Sequence, residues 1–570
     1  MKTYSVREDI SKELDEEFAE FPELARRLLA YRGITTRDEA EAFLSPNYEA
    51  ALHDPFLMHG MKKAVARVLN AIEKKEHIVI YSDYDCDGIP GGVILHDFFK
   101  KIGYEHFSNY IPHRHEEGYG LNISAIEKAA ENNAKLLITV DCGIADRVPV
   151  DRANELGIDV IITDHHLENG KLPKAYAVLN PNQKADKTYP FKGLCGAGVA
   201  FKLVQGLIMR GDFSLVTGWE KWLLDMAGLS TMTDMVPLQD ENRVISYYGL
   251  HVLRKSRRPG LQQLCRTIRV DQRTITEDDI GFMIGPRINA ASRMDHPIDA
   301  FNLLRTDDVT EGGKLSEYLD KLNRERRALS ASMTKEIKAR LRRQDDIRDV
   351  IVMGNPLWRP SNLGLVANGV VETYNRPVFL WGRDSGGLYK GSCRRPDDGV
   401  NLVEFMTSIK DTFIDAGGHS FSGGFSVIPE KIHHFEEIIN DAYKKFVKKL
   451  AKKEPEVLVD KKMDIRDVTW ETYRTIEQFA PFGVGNEKPI FLFEHVEIAA
   501  VEHFGKEKNH LRLRFVNENG KDISAIAFFK TIDHFDATLE QGKRVNLVAS
   551  FEKSTFGGRT ELRLRIVDVY

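Results

Sequence analysis

Three apolar stretches of the sequence, each typical of a buried strand, end on acidic residues. The stretches are "IVIYS", "LLITV" and "VIIT", and the acids and histidines that follow them are Asp83, Asp85, Asp87, Asp141, Asp164, His165 and His166. Ligands of an open parallel sheet bind outside the carboxyl ends of its strands. We therefore expect these side chains to meet at one edge of a sheet.

Such a cluster of acids needs cations. Carboxylates within a few ångströms of one another raise each other's pKa unless positive charge lies between them. Oxygen ligands combined with imidazole suit Mn²⁺ or Mg²⁺ better than a metal that prefers soft ligands. An aspartate-rich cradle is also what a two-metal site uses to hold its ions about 3.5 to 4 Å apart. The pattern therefore predicts a site for two ions that performs phosphoryl chemistry.

A single aspartate at the end of a strand has simpler explanations. It is usually a turn residue or a helix N-cap, and Asp87 with Gly88 could form an ordinary turn. The alternate spacing of the aspartates also resembles the start of an EF-hand loop, which needs a bidentate glutamate at its twelfth position. The twelfth position here is Ile94, so the EF-hand alternative is excluded.

The elements that must position these residues follow an α/β pattern. Over about residues 77–182, short apolar runs alternate with helical stretches, which is typical of βαβ units and a parallel sheet. Ser124 and Glu127 predict a capping box for one of these helices, and a threonine of "TTRDEAEAFLSP" predicts an N-cap nearer the N-terminus. From about Val457 the period becomes two, which predicts an all-β module.

A long helix is predicted between two α/β patterns. Lys314 to Asp346 contains no Gly or Pro and carries apolar residues at helical spacing. The predicted fold class is therefore α/β, with two α/β lobes (a parallel-sheet domain and a smaller domain) joined by a long helix, plus a C-terminal all-β OB-like barrel. The predicted domains are residues 1–70 (helical segment), 71–310 (first lobe), 311–346 (connecting helix), 347–455 (second lobe) and 456–570 (barrel).

Composition narrows the class of function. The 570 residues carry a formal net charge of only −5, so any surface that binds nucleic acid must be local. We find no run of about 18 apolar residues that could span a bilayer, and the N-terminus lacks the apolar core of a secretory signal. Five scattered cysteines without a CxxC pair argue against a zinc ribbon or a disulfide framework. We expect a cytoplasmic protein with no membrane partner.

Several motifs in a fixed order resemble one known family. "DYDCDG", "TVDCGI", "TDHH" and "STMTDMVPL" resemble the four acidic motifs of the DHH phosphoesterases. "AYRGITTRDEAEAFLSP", "YIPHRHEEGYGL", "PRINAASRM", "GGHSFSGG" and "FAPFGVGNEKPIF" are similar to segments of the RecJ branch of that family. The resemblance covers nearly the whole chain, and it implies that the lobes are a DHH and a DHHA1 domain.

The resemblance implies a single-stranded-DNA-specific 5′→3′ exonuclease that releases 5′-mononucleotides in DNA repair and recombination. The implied chemistry is two-metal hydrolysis with Mn²⁺ or Mg²⁺, in which water attacks phosphorus in line. The implied metal ligands are Asp85, Asp87, Asp141, His165 and Asp234. Asp83 is expected to support these ligands or to bind one ion. His166 is expected to contact the scissile phosphate, and Asp164 to orient a histidine. Without the resemblance, Asp234 could belong to an ordinary turn.

The same resemblance implies contacts with DNA. The residues expected to hold the 5′-terminal phosphate are Arg114, Ser392 and Arg394, since arginine suits bidentate contact with phosphate. Those expected to hold the backbone or a base are Arg287, Asn289, Arg293, Tyr119, Gly418 and His419, with Tyr119 stacking on a base. From the residues alone, "GSCRRP" is a turn with two surface arginines, and "GGHSFSGG" could be a structural turn.

The C-terminal module interleaves basic and aromatic residues. The basic residues are Lys506, Lys508, Arg512, Arg514, Lys543, Arg544, Lys553, Arg559, Arg563 and Arg565, and the aromatic residues are Phe504, Phe528, Phe529, Phe551 and Phe556. This combination is typical of a groove that binds single strands with little regard to sequence. We expect most of these phenylalanines to lie in the core.

Some positions depart from the family pattern. "IPGG" follows Gly88 where Thr-Ser and small residues are usual, and Ser292 and Met294 stand at unusual positions of "PRINAASRM". Pro90 can occupy the first turn of a helix, so the helix is expected to remain. These departures leave the predicted metal ligands in place.

Two alternative functions remain at this point. One is a DHH-family phosphodiesterase of short oligonucleotides or cyclic dinucleotides, and the other is a non-catalytic DNA-binding replication scaffold. Single-stranded DNA is the expected partner of the chain, which we expect to be a monomer. A single-strand-binding protein and a helicase are further candidate partners.

Overall fold

A computed structural model describes residues 3–168, 170–344, 346–396, 399–448, 456–516, 520, 522–555 and 560–570. None of the helices in these ranges is long and apolar enough to cross a membrane. The chain divides into two compact units, Met1–Leu52 with Met235–Tyr247 and Pro455–Tyr570, and His53–Asp234 with Tyr248–Glu454. The five domain limits given above stay predictions.

The strands are β1 (Thr3–Val6), β2 (His77–Ser82), β3 (Phe107–Tyr110), β4 (Ala134–Val140), β5 (Asp159–Thr163), β6 (Ala177–Leu179), β7 (Ile351–Gly354), β8 (Val378–Arg383), β9 (Tyr389–Arg394), β10 (Phe413–Gly418), β11 (Ser422–Val427), β12 (Glu456–Val459), β13 (Lys461–Lys462), β14 (Phe491–Glu497), β15 (Ala500–Phe504), β16 (His510–Val516), β17 (Asp522–Ala527), β18 (Arg544–Ser554) and β19 (Glu561–Val569).

The helices are α1 (Lys12–Glu17), α2 (Glu23–Ala30), α3 (Arg37–Leu44), α4 (Tyr48–Ala51), α5 (Met61–Glu73), α6 (Gly88–Lys101), α7 (Ile123–Glu131), α8 (Arg147–Glu155), α9 (Gly196–Arg210), α10 (Leu224–Thr233), α11 (Asp240–Leu253), α12 (Pro259–Ile268), α13 (Glu277–Asp279), α14 (Gly285–Met294), α15 (Ile298–Arg305), α16 (Val309–Leu341), α17 (Pro360–Tyr374), α18 (Leu402–Ser408), α19 (Phe435–Val447) and α20 (Trp470–Glu477).

The first lobe of the larger unit contains the predicted parallel sheet, in the order β3-β2-β4-β5-β6. Its central strands are buried on both faces, which explains their continuous runs of Val, Ile and Leu. Residues Val79, Leu137 and Val160 pack on one face with α7 and α8 residues such as Ile126 and Val150. All strands point the same way, so their carboxyl ends meet at one edge.

Helix boundaries follow the predictions in part. The threonine N-cap predicted in "TTRDEAEAFLSP" is confirmed, since Thr36 caps α3 and forms a complete capping box with Glu39. The box predicted at Ser124 is wrong, because α7 begins two residues earlier and is capped by the Asn122 side chain. Helix α6 starts at Gly88 and includes Pro90 in its first turn, as expected.

The connecting helix α16 runs for 33 residues and is shifted from the predicted 311–346 toward the N-terminus. Its N-cap is Asp308, whose carboxylate accepts N–H groups of the first turn. Two glycines lie inside this first part of the helix. A β-carbon on Gly312 would lie 3.0 Å from the Cα of Gly260 in α12, so close helix packing requires glycine there. This tertiary contact outweighs the low helix propensity of glycine.

The second lobe contains a five-stranded mixed sheet in the order β10-β11-β9-β8-β7, in which only β7 and β8 pair in parallel. Phe379, Phe405 and Phe435 belong to the core on one face, beneath α18 and α19. Leu363 and Val366 of α17 pack on the other face with Ile337 of α16. The long helix is therefore part of the second lobe's core.

The smaller unit contains the predicted barrel. Its sheet has the order β13-β14-β18-β19-β17-β16-β15, in which β14 pairs antiparallel with β18 and β15 pairs antiparallel with β16. Helices of the N-terminal segment contribute Phe18, Leu24 and Ala40 to the same core as Phe491 and Leu547. The N-terminal helices therefore pack on the barrel.

Candidate active site

The loop after β2 carries three aspartates. Asp83 donates its backbone N–H to the carbonyl of Val140 in the neighbouring strand β4, at 3.0 Å. The Asp85 carboxylate accepts the N–H groups of Asp87 (2.8 Å) and Gly88 (3.1 Å). Gly88 is required because a β-carbon there would lie 2.5 Å from the Asp83 carbonyl oxygen. This turn holds the three carboxylates at the start of α6.

Asp87 also contacts the start of a second helix. Its two carboxylate oxygens accept N–H groups of Gly196 (2.6 Å) and Ala197 (2.8 Å), the first residues of α9. The N-terminus of a helix favours negative charge. A β-carbon on Gly196 would lie 2.5 Å from the Cβ of Asp141. The first turn of α9 therefore brings Asp87 and Asp141 together.

Asp141 follows β4 in the left-handed backbone conformation, with φ 61°. This conformation is uncommon for residues other than glycine, and such strain is concentrated at functional sites. The Asp141 N–H donates to the Thr163 carbonyl at 2.9 Å, so the strained residue is fixed to the next strand, β5.

Asp164 is fully buried and holds the loop of the two histidines. Its Oδ1 accepts the N–H groups of His165 (2.7 Å) and His166 (3.0 Å) and contacts Nδ1 of His166 (2.8 Å). Its Oδ2 accepts the Ile144 N–H at 2.9 Å. Burial alone would raise the pKa of Asp164, but the hydrogen bonds and the charge of His166 bring it below its ordinary value. Asp164 therefore orients His166 and is already satisfied by protein partners.

The remaining acids surround His165. Its Nε2 lies 3.2 Å from Asp141 Oδ1, 3.6 Å from Asp234 Oδ2 and 3.7 Å from Asp87 Oδ2. Asp234 reaches this place because it follows the last turn of α10. The groups whose ligand atoms lie within 4.8 Å of one another are Asp83, Asp85 and Asp141; Asp87, His165 and Asp234; and Asp141, His165 and His166.

Without cations, the ionised forms of these acids are destabilised. Burial, followed by the charges of neighbouring carboxylates, raises the pKa values of Asp83, Asp87, Asp141 and Asp234. Oδ1 of Asp83 and Oδ1 of Asp141 are buried and accept no hydrogen bond from the residues that the structure describes. Buried oxygens without partners, beside an imidazole, fit hard divalent cations such as Mn²⁺ and Mg²⁺.

The two histidines differ in their electrostatics. Burial lowers the pKa of His165, which keeps its imidazole neutral, as a metal ligand must be. Burial acts on His166 in the same direction, but its hydrogen bond to Asp164 and the charge of that carboxylate raise its pKa overall. Neighbouring histidines are thus suited to different tasks, one to bind a cation and the other to carry positive charge.

Tyr119 lies beside this cluster. Its hydroxyl donates to the Asp141 carbonyl at 3.0 Å and lies 3.2 Å from Nδ1 of His166. The residue is 52% exposed, so a face of its ring remains accessible. This position is compatible with the predicted stacking on a base.

Of the predicted DNA contacts, Arg114 and Arg293 lie close to the acids. The Arg114 guanidinium stacks on Tyr84, 4.8 Å from the ring centre. Burial, and then the charge of Arg114, lowers the pKa of Arg293 to about 9. Arg293 donates to the carbonyl of Ser361 at the start of α17, and the Ser361 hydroxyl donates back to the Arg293 carbonyl at 3.1 Å.

Two other predicted contacts are engaged within the protein. Arg287 is nearly buried, and its guanidinium donates to Asp320 of α16 (3.0 Å) and to the Met283 carbonyl (2.7 Å). Asn289 accepts the N–H of Cys86 through its Oδ1 at 2.9 Å, inside the first aspartate loop. The structure thus gives both residues a structural task, and their contact with DNA stays a prediction.

Ser392 and Arg394, predicted for the 5′-phosphate, lie together on β9 against α17. A β-carbon on Gly364 would lie 2.7 Å from Nη2 of Arg394 and 3.6 Å from Oγ of Ser392. Arg394 donates through Nη1 to the Cys393 carbonyl at 2.7 Å. Because Ser361 and Gly364 share the first turn of α17, Arg293 and Arg394 contact the same helical turn.

Gly418 and His419 form the tight connection between β10 and β11. Gly418 has φ 141°, and a β-carbon there would lie 2.3 Å from the Ser422 carbonyl oxygen. The His419 N–H donates to the same carbonyl at 2.7 Å. The glycine is therefore needed for the turn itself, and binding of phosphate by this segment stays a prediction.

Comparison with known proteins identifies the family. The family models that match are the DHH family, N-terminal domain over residues 77–229, the DHHA1 domain over residues 348–445 and the RecJ OB domain over residues 459–568. The single-stranded-DNA-specific exonuclease RecJ of Bacillus subtilis is 34% identical over 98% of this chain and 69% of that protein. The chain belongs to the RecJ family.

Two further relatives support this assignment. The RecJ exonuclease of Escherichia coli is 30% identical over 83% of this chain and 83% of that protein. The crystal structure of RecJ from Thermus thermophilus in complex with Mn²⁺ has a TM-score of 0.81 and 26% identity, covering all of this chain and 79% of that one. The fold class predicted from the sequence, with its two α/β lobes and its barrel, is confirmed by this likeness. The alternative functions considered above are not favoured.

Sequence reasoning missed some residues that shape this RecJ-family site. The roles of Gly196 and Gly364 follow only from their packing in the structure, because no sequence pattern indicates which glycine contacts an aspartate or an arginine. Asn180 and Asn182 follow β6, the fifth strand of the parallel sheet, and donate to the carbonyls of the two histidines. The rule that drew attention to polar residues at strand ends would have found them.

Proposed function

We propose that this chain is a metal-dependent exonuclease that degrades single-stranded DNA from its 5′ end and releases 5′-mononucleotides. The observation that carries the proposal is the pair of buried, unpartnered carboxylate oxygens, on Asp83 and Asp141, at the strand ends beside His165. The curated relatives are single-stranded-DNA-specific exonucleases, and a similar structure holds Mn²⁺.

The proximity of ligand atoms suggests which residues would hold two ions. Asp83, Asp85 and Asp141 would hold one, and Asp87, His165 and Asp234 the other, with Asp141 near both. Bound Mn²⁺ or Mg²⁺ supplies an activated water at neutral pH and neutralises charge on the attacking and leaving oxygens of phosphorus. The protein itself contributes the fixed positions of the carboxylates.

His166 would place a positively charged donor beside the scissile phosphate. Its imidazole donates Nδ1–H to Asp164, which leaves Nε2–H for a non-bridging oxygen of the scissile phosphate. The contact with Asp164 raises the pKa of His166 and so favours the protonated ring, which can stabilise negative charge that develops during hydrolysis. No protein nucleophile is needed.

The choice of the 5′ end would come from the arginines near α17. Arg114, Arg293 and Arg394, with Ser392, form the candidate pocket for a terminal phosphate. Guanidinium groups suit this task because they remain charged when partly buried and present forked donors. An end held there sets which phosphodiester bond lies over the acids.

The barrel would bind the strand without reading its sequence. Phe528 lies beneath the guanidinium of Arg565 at 4.2 Å, and Phe504 beneath that of Arg512 at 5.2 Å. Phe529 is 68% exposed. The expectation that most of the five phenylalanines interleaved with basic residues lie in the core is wrong for the described ones, because of Phe504, Phe528, Phe529 and Phe551 only Phe551 is buried. Phe556 and Arg559 lie outside the described residues.

Several barrel arginines are neutralised by acids. Arg512 and Arg514 pair with Glu502, and Arg563 pairs with Glu552 at 3.0 Å. Such pairs reduce the local positive charge, so stacking on aromatic rings would contribute more to binding than the sequence pattern suggests.

The cellular setting is part of the proposal. The five cysteines of the chain are free and buried, which suits a reducing cytoplasm. Action on single strands in repair and recombination would place a single-strand-binding protein and a helicase among its partners, with the chain acting as a monomer.

Single strands labelled internally and blocked at either end test this function. With Mn²⁺, we expect 5′-mononucleotides from strands whose 3′ end is blocked and no products from strands whose 5′ end is blocked. The duplex form of the same sequence is the control and should resist. Degradation that needs only a free 3′ end would contradict the polarity, and no hydrolysis of any strand would contradict the function.

A further inference from the structure

Two asparagines at the end of β6 bond to the loop of the two histidines. Asn182 is half-buried, and its Nδ2 donates to the carbonyl of His165 at 2.6 Å. Asn180 is fully buried, and its Nδ2 donates to the carbonyl of His166 at 2.9 Å. The Oδ1 of Asn180 also accepts the backbone N–H of Asn182 at 2.7 Å, which links the two amides.

These bonds complete a set that begins with Asp164. The Asp164 carboxylate holds the N–H groups of His165 and His166, and the two asparagines hold their carbonyls. The backbone N–H and C=O groups of both histidines are therefore hydrogen-bonded to side chains of the protein. A histidine side chain has only two rotatable bonds, so a fixed backbone limits its ring nitrogens to a few positions.

The sheet explains why the asparagines lie here. Strand β6 pairs in parallel with β5, with Leu179 opposite Thr163, and the Asp164 N–H donates to the Leu179 carbonyl at 3.0 Å. The residues after β6 therefore lie beside the residues after β5. Strand β6 contributes no residue to the groups of possible metal ligands among the described residues, yet the two asparagines after it contact the loop that does.

The amide group is the side chain that this place requires. A carbonyl oxygen accepts hydrogen bonds, so it needs a donor, and an ionised carboxylate would repel it. A further aspartate would also add negative charge near the acidic cluster, where burial already raises the pKa values of Asp141 and Asp234.

We propose that Asn182 and Asn180 are positioning residues that place His165 for metal binding and His166 for the scissile phosphate. This inference rests on the proposed function. Hydrogen-bonding partners of metal ligands fix the orientation of those ligands and contribute to affinity for the ion.

Asn182→Ala in the full chain is the main test, because the substitution removes one hydrogen bond at a half-buried position. Binding of Mn²⁺ is measured directly, from the electron paramagnetic resonance signal of the unbound ion. We expect about tenfold weaker binding, as is typical when a residue that supports a metal ligand is lost. Thermal unfolding in chelator should change little.

Asn154→Ala is the matched control. The Asn154 Nδ2 also donates to a backbone carbonyl of the first lobe, that of Lys174, at 3.0 Å, but it does not contact the histidine loop. This variant should bind Mn²⁺ as the parent does. Asn180→Ala adds a kinetic readout, since it should lower kcat about tenfold at saturating Mn²⁺ with KM nearly unchanged.

The outcomes separate this inference from the proposed function. Mn²⁺ affinity of Asn182→Ala within twofold of the parent would overturn the inference, as would an equal loss in Asn154→Ala. If the parent binds Mn²⁺ but does not hydrolyse single strands, the proposed function fails, while the Mn²⁺ titration of Asn182→Ala still decides its own question. A parent that binds no Mn²⁺ overturns both.

Discussion

The larger unit contains one cluster of acidic and one cluster of basic side chains, and the two differ in how the protein hydrogen-bonds their charged groups. At the strand ends of the first lobe, Asp83 and Asp141 each keep a buried oxygen to which no described residue donates. Near α17, Arg293 and Arg394 each donate to a backbone carbonyl. The acidic cluster is therefore incomplete without cations, whereas each of these arginines has an acceptor within the protein. We therefore expect substitutions in the acidic cluster to lower the rate of hydrolysis more than substitutions in the basic cluster do. We also expect the loss of an acidic side chain to stabilise the metal-free protein.

The largest expected effect is that of Asp141→Asn. Asp141 lies near both proposed ion positions, so its loss should lower the rate of hydrolysis at least about 1000-fold, since several kcal/mol of charge stabilisation depend on the ions. Mononucleotide release with Mn²⁺ measures this. Asp151→Asn, an exposed residue on α8, is the control and should retain full activity. Retained activity in Asp141→Asn would show that the acidic cluster is not the catalytic centre.

The same substitution should stabilise the metal-free protein. A carboxyl whose pKa is raised in the folded state binds protons more tightly there, so stability falls as pH rises from the ordinary carboxyl pKa through the raised one. In chelator, Asp141→Asn should therefore unfold at a higher temperature than the parent at neutral pH, and the advantage should shrink as the pH is lowered. Added Mn²⁺ should reverse the order. If Asp141→Asn instead unfolds at a lower temperature than the parent in chelator, repulsion among the carboxylates does not destabilise the metal-free parent.

The sequence predicts the acidic cluster well for a topological reason. In a parallel sheet every strand ends at the same edge, so the positions of Asp83, Asp141 and His165 follow from strand assignment alone. Asp234 does not belong to a strand; it ends α10, and only the resemblance to a family indicated it. The cluster also depends on the first turn of α9, which no local pattern connects to Asp87.

The basic cluster is less predictable because it depends on packing between elements. The resemblance alone indicated Arg287 as a contact with DNA, and no local pattern indicated that its guanidinium pairs with Asp320 between α14 and α16. The start of α16 was also missed, since Gly312 looks like a helix breaker until its contact with Gly260 is known. Pairings between distant elements are not encoded in hydrophobic periodicity.

A smaller effect is expected from Arg394→Ala. Loss of one charged hydrogen bond to phosphate costs about 1.5 kcal/mol, so the preference for 5′-phosphorylated over 5′-hydroxyl strands should fall about tenfold. The rates on the two strands measure this preference. The neighbouring Arg395 donates to the Ser420 carbonyl and stacks on Phe421, so Arg395→Ala should leave the preference unchanged. An equal loss in both variants would point to general positive charge rather than a pocket.

The smallest effect tests whether the basic cluster is as rigid as its bonds suggest. Gly364→Ala places a methyl group 2.7 Å from the Arg394 guanidinium, which must move. We expect about a threefold loss of the 5′-phosphate preference, roughly half the free energy lost with the whole side chain. Gly369→Ala, on the same helix with open space around the added carbon, is the matched control and should not alter the preference. An unchanged preference in Gly364→Ala would show that the Arg394 side chain adjusts freely, in which case the strict geometry of this enzyme resides in its acidic cluster alone.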